Sequence, residues 1–322
     1  MKKNTILLTG SAGFIGFHVA QRLLREGVEV IGIDAINDYY SRSLKKDRNK
    51  ILLKYTGYHF FEANIANRHS IGEIFKQYKI GKICNLAAQA GVRYSLDNPF
   101  AYEESNIMGF LTVLETAKKF GIRQVVYASS SSVYGNNTMP RTGFSETDSV
   151  DKPISVYGVT KRANELLAYT YHSLYDMQLT GLRFFTVYGP WGRPDMAYFK
   201  FADAITKGNP IDIYNQGKMK RDFTYIEDIV DGVYAALQNP FPYEIFNLGN
   251  SHTVKLMDFI KCLEDKIGMK AQYNLLPMQP GDLKETFANI VKARKHLGFS
   301  PKTDIADGIS LFIDWYKRYY KI

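Results

Sequence analysis

Three glycines standing three apart, Gly10, Gly13 and Gly16, fall between a short apolar stretch, Thr5 to Thr9, and a segment of helical periodicity, Phe14 to Arg25. No other feature restricts the fold of this chain as strongly. A glycine turn at that place lets bare backbone approach a pyrophosphate at a helix N-terminus, where unpaired N–H groups favour an anion. Val28 to Ile33 is β-branched and predicts a second strand, which completes a βαβ unit. Further apolar runs at His59 to Glu62, Lys82 to Leu86, Gln124 to Ala128 and Leu179 to Phe184 alternate with helical stretches, among them Pro99 to Lys119 and Ser155 to Tyr175. That alternation predicts an α/β protein with a parallel, doubly wound sheet. Asn98 before Pro99 fits a helix start, with asparagine as cap and proline at the first helical position.

The glycines alone leave a tight turn with close helix packing as an equal explanation, because the common dinucleotide fingerprint has its first two glycines two apart. Asp34, directly after the second strand, favours the dinucleotide. A carboxylate there accepts from both ribose hydroxyls of NAD and repels the 2'-phosphate of NADP, so the expected cofactor is NAD.

At 322 residues the chain exceeds what one growing core usually supports, and two lobes are expected. Residues 1–182, rejoined by about 222–246, make the NAD-binding domain in this reading, and 183–221 with 247–322 a smaller substrate lobe. Beyond Gly189 the pattern loosens into turns rich in proline, glycine and aromatics, with a return to the main sheet expected near Phe223 to Tyr234.

The net charge of +9 and the basic run Arg42, Lys45, Lys46, Arg48 and Lys50 raise a nucleic-acid reading. A basic surface also suits a small polyanionic substrate, and most charge runs are solvated faces. No nucleic-acid partner is expected, since an aromatic-lined basic face cannot be traced among the tyrosines. Cys84 and Cys262 lack metal-ligand spacing, so neither a disulfide framework nor a metal is expected. The histidines, including His18 and His172, show no ligand spacing either. After Met1, Lys2 and Lys3 the apolar run Ile6 to Leu8 breaks at once into glycine, and no stretch approaches the length of a membrane span. A cytoplasmic protein with no membrane partner is expected.

Tyr157 and Lys161 stand one helical turn apart, hence on one face. A chance surface pair gives the same spacing. The pair follows a serine run, Ser129 to Ser132, that closes an expected strand at its carboxyl end, where ligands of such sheets sit. A tyrosine, lysine and hydroxyl set placed there can move a proton: a neighbouring ammonium and a positive nicotinamide would lower the phenol from about 10, and Tyr157 would take the proton of a sugar hydroxyl as hydride leaves the same carbon.

The segments TGSAGFIGFHV, NLAAQAGVRYS, SSSSVYG, YGVTKRANE, RFFTVYGPWGRPDMA, RDFTYIEDI and PGDLKETFAN, running nearly end to end, resemble the extended short-chain dehydrogenase/reductase superfamily and, within it, the nucleotide-sugar epimerases and dehydratases. The resemblance implies a Rossmann-type fold with a smaller C-terminal substrate-binding lobe, and a homodimer paired through the helices Pro99 to Lys119 and Ser155 to Tyr175. It makes Ser130 the catalytic hydroxyl, Tyr157 the base and Lys161 the nicotinamide-ribose ligand. It also places Phe14, Ile15, Asn64, Ile65, Leu86, Ala87 and Ala88 along the cofactor. Asn64 stands where many relatives carry Asp beside the adenine. Arg93, Ser131, Ser132, Arg221 and Asp282 fall on the substrate, Arg221 at the diphosphate and Asp282 at the nucleoside end.

Related 4,6-dehydratases carry Asp and Glu at the two positions before the valine of the VYG run, and UDP-glucuronate decarboxylases carry Glu at the second. Here both are serine, Ser131 and Ser132, which argues for epimerisation. The segments TVYGPWGRPDMA and NDYYSRSLKKDR resemble the UDP-glucuronate 4-epimerases. Arg193 is then the natural partner of a uronate carboxylate, with Thr186 as a second donor; bracing the loop or binding phosphate is the plainer alternative for Arg193. The implied reaction oxidises C4 to a ketone, turns the sugar over and reduces it on the other face. Interconversion of UDP-glucose and UDP-galactose is the next reading, then decarboxylation of UDP-glucuronate. A binding protein that kept the fold but lost its chemistry would show a damaged catalytic set, whereas Ser130, Tyr157 and Lys161 are all present.

Overall fold

The computed structural model describes residues 5–278 and 284–322. In chain order the elements are β1 (Thr5–Thr9), α1 (Phe14–Arg25), β2 (Glu29–Asp34), α2 (Arg42–Leu52), β3 (Tyr58–Glu62), α3 (Arg68–Gln77), β4 (Lys82–Asn85), α4 (Tyr94–Asp97), α5 (Pro99–Tyr102), a π-helical turn (Glu103–Met108), α6 (Gly109–Lys119), β5 (Gln124–Ser130), α7 (Val156–Tyr175), β6 (Gln178–Phe184), β7 (Thr186–Tyr188), α8 (Ala197–Thr206), β8 (Ile211–Tyr214), β9 (Lys220–Arg221), β10 (Phe223–Tyr225), α9 (Ile226–Gln238), β11 (Tyr243–Leu248), β12 (Val254–Lys255), α10 (Leu256–Ile267), β13 (Tyr273–Leu276), β14 (Glu285–Thr286), α11 (Val291–Leu297) and α12 (Ile305–Tyr320).

Seven strands form one sheet in the order β11-β6-β5-β4-β1-β2-β3, parallel throughout. The order reverses between β1 and β4, and ligands of such sheets bind at the carboxyl ends beside that switch. Alternation along the strands divides the core. Ile6, Leu8, Val30, Cys84, Val126 and Leu182 face one side with α1 and α9, while Leu7, Ile31, Ile83, Val125 and Leu179 face the other with α3, α6 and α7. Helix α1 supplies Phe14, Phe17, Ala20, Leu23 and Leu24 to this interior and keeps its basic residues Arg22 and Arg25 for its last turn. Burying each of its large apolar side chains contributes about 1.5–3 kcal/mol.

Asn98 caps α5 by accepting from the Ala101 N–H, and Ser155 caps α7 by accepting from the Gly158 N–H. The stretch from Pro99 to Lys119 continues through the π-helical turn, which periodicity alone does not signal.

The expected return to the main sheet near Phe223 takes another form. Phe223–Tyr225 pairs with β7 in a separate two-stranded sheet, and the chain rejoins the large sheet only at β11. The physical reason lies in the sequence after Tyr225: Glu227 and Asp228 favour a helix N-terminus, so the apolar run becomes α9, packed beside α1.

Both cysteines are free thiols, Cys84 buried and Cys262 partly so. Among the described residues no group of metal-ligating side chains comes together, and no helix is long and apolar enough to cross a membrane.

Candidate active site

Two clefts meet above the carboxyl ends of the strands. In the first, the glycine turn lies against the β4 exit. A Cβ on Gly10, whose φ is +70°, would stand 2.7 Å from the Ala87 nitrogen, and one on Gly16 would stand 2.0 Å from the Gly10 carbonyl oxygen. Only glycine lets α1 start this close to the sheet. Gly13, at the N-cap, offers no side chain to the first N–H groups of α1, which leaves them for an anion. The β4 exit is itself pinned: the Thr9 hydroxyl donates to Asn85 (2.7 Å) and accepts from the Ala87 N–H (3.1 Å).

Asp34 ends β2 at the rim of this cleft and accepts from the N–H groups of Ala12 (3.1 Å) and Ile36 (2.9 Å). Burial pushes its carboxyl above the ordinary value, against those N–H groups and the Lys45 charge. Lys45, from the basic run, lines the same cleft and donates to the Asn37 carbonyl (2.7 Å); burial brings its ammonium down to about 8 although Asp34 opposes this. Phe14, Ile15, Asn64, Ile65, Leu86, Ala87 and Ala88 all line the cleft as well. Asn64 accepts from the Ala66 N–H (2.9 Å) and donates to Glu104 (2.8 Å), so its amide is committed on both sides. A carboxylate at a strand end, a glycine cradle and an open helix N-terminus together fit NAD.

Ser130, Tyr157 and Lys161 converge where this cleft reaches β5. Burial raises the Tyr157 phenol above its usual value, while the Ser130 hydroxyl and the Arg193 charge pull it down. Lys161 donates to the Ala128 carbonyl (2.9 Å), 5.9 Å from the Tyr157 ring, and burial lowers its pKa to about 8. Arg193 is thus a second cation near the phenol, a neighbour the sequence spacing does not reveal. One turn beyond Lys161, the fully buried Glu165 accepts from Ser129 (2.6 Å) and from Arg183 through both Nε (2.8 Å) and Nη2 (3.0 Å). This pair ties the helix that carries Tyr157 to the strands β5 and β6; removing one partner of such a buried pair costs about 3–5 kcal/mol. Ser131 and Ser132 line neither cleft, and Ser132 instead exchanges hydrogen bonds with the Ser130 hydroxyl.

The second cleft, of about 710 Å³, is of a size for a small organic ligand. It gathers Arg93, Thr186, Arg193 and Arg221. Arg93 lies over the Tyr214 ring (4.8 Å). Arg221 donates to the carbonyls of Lys220 (2.9 Å) and Lys284 (3.3 Å). Arg193 lines both clefts and pairs with Asp195, a partner not anticipated from sequence. Asp282 lies outside the described residues.

Arg48, read from sequence as part of a charged run, is fully buried. It donates to the carbonyls of Ala12 (2.9 Å), Trp191 (2.6 Å) and Gly192 (2.9 Å) and to the Tyr40 hydroxyl (2.8 Å). Trp191 there has a φ of +58°, which a bulky residue adopts only under constraint. The spacing of Lys45 and Arg48 on one face of α2 was the only available signal that they turn inward, and their charge pointed the other way.

A model of the NAD-dependent epimerase/dehydratase family matches residues 6–249. UDP-glucuronate 4-epimerase 4 of Arabidopsis thaliana is 46% identical over 98% of this chain and 76% of its own, and the UDP-glucuronate 4-epimerase of Thermodesulfobacterium geofontis is 44% identical over 97% and 96%. The crystal structure of UDP-glucuronic acid 4-epimerase from Bacillus cereus, in complex with UDP-glucuronic acid and NAD, superposes with a TM-score of 0.92 at 35% identity, covering 98% of this chain and 100% of that one.

Proposed function

Because the chain belongs to the NAD-dependent epimerase/dehydratase family, we propose that it inverts C4 of UDP-glucuronate to give UDP-galacturonate through a 4-keto intermediate, with NAD held throughout. The observation that carries this reading is Arg193: a guanidinium at the junction of the two clefts, close enough to influence the Tyr157 phenol, with Thr186 in the same cleft.

Bound NAD supplies a hydride acceptor at C4 and the hydride that returns to the opposite face. The protein does the rest. Gly10, Gly13 and Gly16 hold the pyrophosphate at the α1 N-terminus, Asp34 and Lys45 the adenosine ribose, and Lys161 the nicotinamide ribose. Asn64 and Ile65 flank the adenine, and Phe14, Ile15, Leu86, Ala87 and Ala88 shape the remaining wall. Tyr157 takes the proton of the C4 hydroxyl and later gives it back, while Ser130 holds that oxygen. Arg93 and Arg221 take the diphosphate, with Asp282 at the nucleoside end. Ser131 and Ser132 follow Ser130 in the chain without lining either cleft. Neither is a carboxylate, so the acid and base that elimination at C5 and C6 would need are missing.

The 4-keto uronate is a β-keto acid. When its carboxylate bond aligns with the carbonyl π system, the C5–C6 electron pair moves into a C4–C5 enolate, carbon dioxide leaves and a proton returns to C5. Arg193 and Thr186 hold the carboxylate out of that alignment.

Residues 1–182 with about 222–246 act as the NAD-binding domain, and 183–221 with 247–322 as the nucleotide-sugar lobe. The protein works in the cytoplasm without nucleic acid or membrane. Two of the five cations in its basic run are interior, which weakens any nucleic-acid face. A homodimer is supported by Val159, Leu166 and Tyr169, more than half exposed along one face of α7, next to exposed Leu96 and Phe100.

Proton NMR of the purified protein with UDP-glucuronate, with and without added NAD and beside a tube of UDP-glucose, tests the reading. UDP-galacturonate should appear without added NAD. Conversion of UDP-glucose alone, with UDP-glucuronate untouched, would overturn uronate specificity. Arg193→Met and Thr186→Val should each release more carbon dioxide per turnover than the parent; equal release removes their assigned role.

A further inference from the structure

The turn that carries Arg193 also carries an acid. The Met196 N–H donates to the Arg193 carbonyl (3.2 Å), which closes a four-residue turn with Pro194 and Asp195 at its centre. In that turn the two charged side chains come together: Arg193 Nε donates to Asp195 Oδ1 (3.0 Å) and Nη2 to Oδ2 (2.5 Å). The Tyr39 hydroxyl donates to the same Oδ2 (3.0 Å) and stands beside the Arg193 guanidinium as well. Arg193 and Asp195 are about one-fifth exposed, and both line the larger cleft.

A guanidinium has five N–H donors in a planar fork. Asp195 takes the side-on pair, one on Nε and one on Nη2. The end-on pair, on Nη1 and the other Nη2 position, is not used by Asp195, and its spacing matches the two oxygens of a second carboxylate. Arg193 can therefore receive a second carboxylate without releasing the first. Burial works against ionisation of Asp195, but the Arg193 charge together with the hydrogen bonds from Arg193 and Tyr39 outweighs it and holds the carboxyl below its ordinary value. The resident pair is consequently close to neutral overall. A substrate carboxylate gains little raw attraction from it and meets a guanidinium that cannot swing.

Building on the reading of this site as that of a uronate epimerase, we infer that Asp195 is a positioning residue: it grips Arg193 side-on, with Tyr39 as its brace, so that the end-on donors hold the uronate carboxylate in the one orientation that prevents its loss. The arrangement gives up affinity for geometry. A free arginine would bind the uronate at least as well and let it rotate.

The experiment compares the parent with Asp195→Asn, Asp195→Glu and Tyr39→Phe, following UDP-galacturonate and the decarboxylated pentose nucleotide together by NMR, with KM, bound NAD and Tm measured on each. For Asp195→Asn, KM for UDP-glucuronate should stay level or fall, epimerisation should slow about tenfold or more, and the pentose share of product should rise by a similar factor. Asp195→Glu should recover part of the parent's product ratio. Tyr39→Phe should move that ratio the same way by less, and it decides the matter if Asp195→Asn folds poorly. An unchanged product ratio in the folded variants, or a KM increase with the ratio unchanged, overturns the inference. If the parent itself leaves UDP-glucuronate unconverted, the reading of the function fails instead, whatever the variants do.

Discussion

The two clefts of the site share a wall but are made of different material. The first is shaped by main chain at the ends of regular elements: Gly10 and Gly16 leave no room for a Cβ, α1 presents bare N–H groups, and Thr9 fixes the β4 exit. The second is shaped by side chains on turns: Arg93 over Tyr214, Arg221 on short β9, and Arg193 held by Asp195. The contrast teaches where this architecture can change. Altering the first cleft means altering the packing of helix on sheet, whereas altering the second means exchanging side chains on a frame that stays put.

The largest expected effect lies on the shared wall. Tyr157→Phe keeps the ring and removes the only group assigned to move the C4 proton, so kcat should fall about 10²–10⁴-fold with bound NAD unchanged. A parallel loss of NAD would mean that Tyr157 belongs to the first cleft as much as to the second. Next comes Gly16→Ala. Its methyl would stand 2.0 Å from the Gly10 carbonyl oxygen, so overpacking should cost about 1–3 kcal/mol, read as a lower Tm, and the protein should elute without NAD. Full NAD occupancy in that variant would break the claim that backbone alone shapes this side.

The smallest effect is in pH. Burial raises the Asp34 carboxyl, so on acidification it takes up its proton before carboxylates of ordinary pKa do. In the proposed cofactor contact the ionised form accepts from the ribose hydroxyls. NAD retention through a desalting column should therefore weaken as pH falls towards that raised value, while the fold persists. Asp34→Asn should retain NAD weakly and without this dependence. Retention that stays flat in the parent until unfolding would remove Asp34 from the cofactor contacts.

The division between the clefts also governs what sequence could disclose. Glycine spacing, strand alternation and Asp34 are local signals, and they located the first cleft because its form is local too. Helical spacing put Tyr157 and Lys161 on one face, and their proposed roles came from the serine run before them and from the resemblance to the family. Asp195, Arg48 and Glu165 were not legible. Each acts through a partner brought near by the fold, or, for Asp195, by a turn that Pro194 signals without saying that the two charged side chains beside it will pair. The return of the chain at Phe223 was misplaced for a related reason, since a short apolar run before two acids suits a strand and a helix start equally. Lys45 was visible only as charge, and charge does not say which way a side chain points.

The chain has two tryptophans, Trp191 and Trp315, whose rings stand 5.3 Å apart. Trp191 immediately precedes the Gly192–Arg193 step, is held by Arg48 and touches Phe17 of α1 at 5.6 Å. The protein's whole indole emission thus originates beside the turn that aims Arg193. It carries an intrinsic optical probe at the border of its two clefts, and the arrival of either ligand can be followed by ultraviolet fluorescence without attaching a dye.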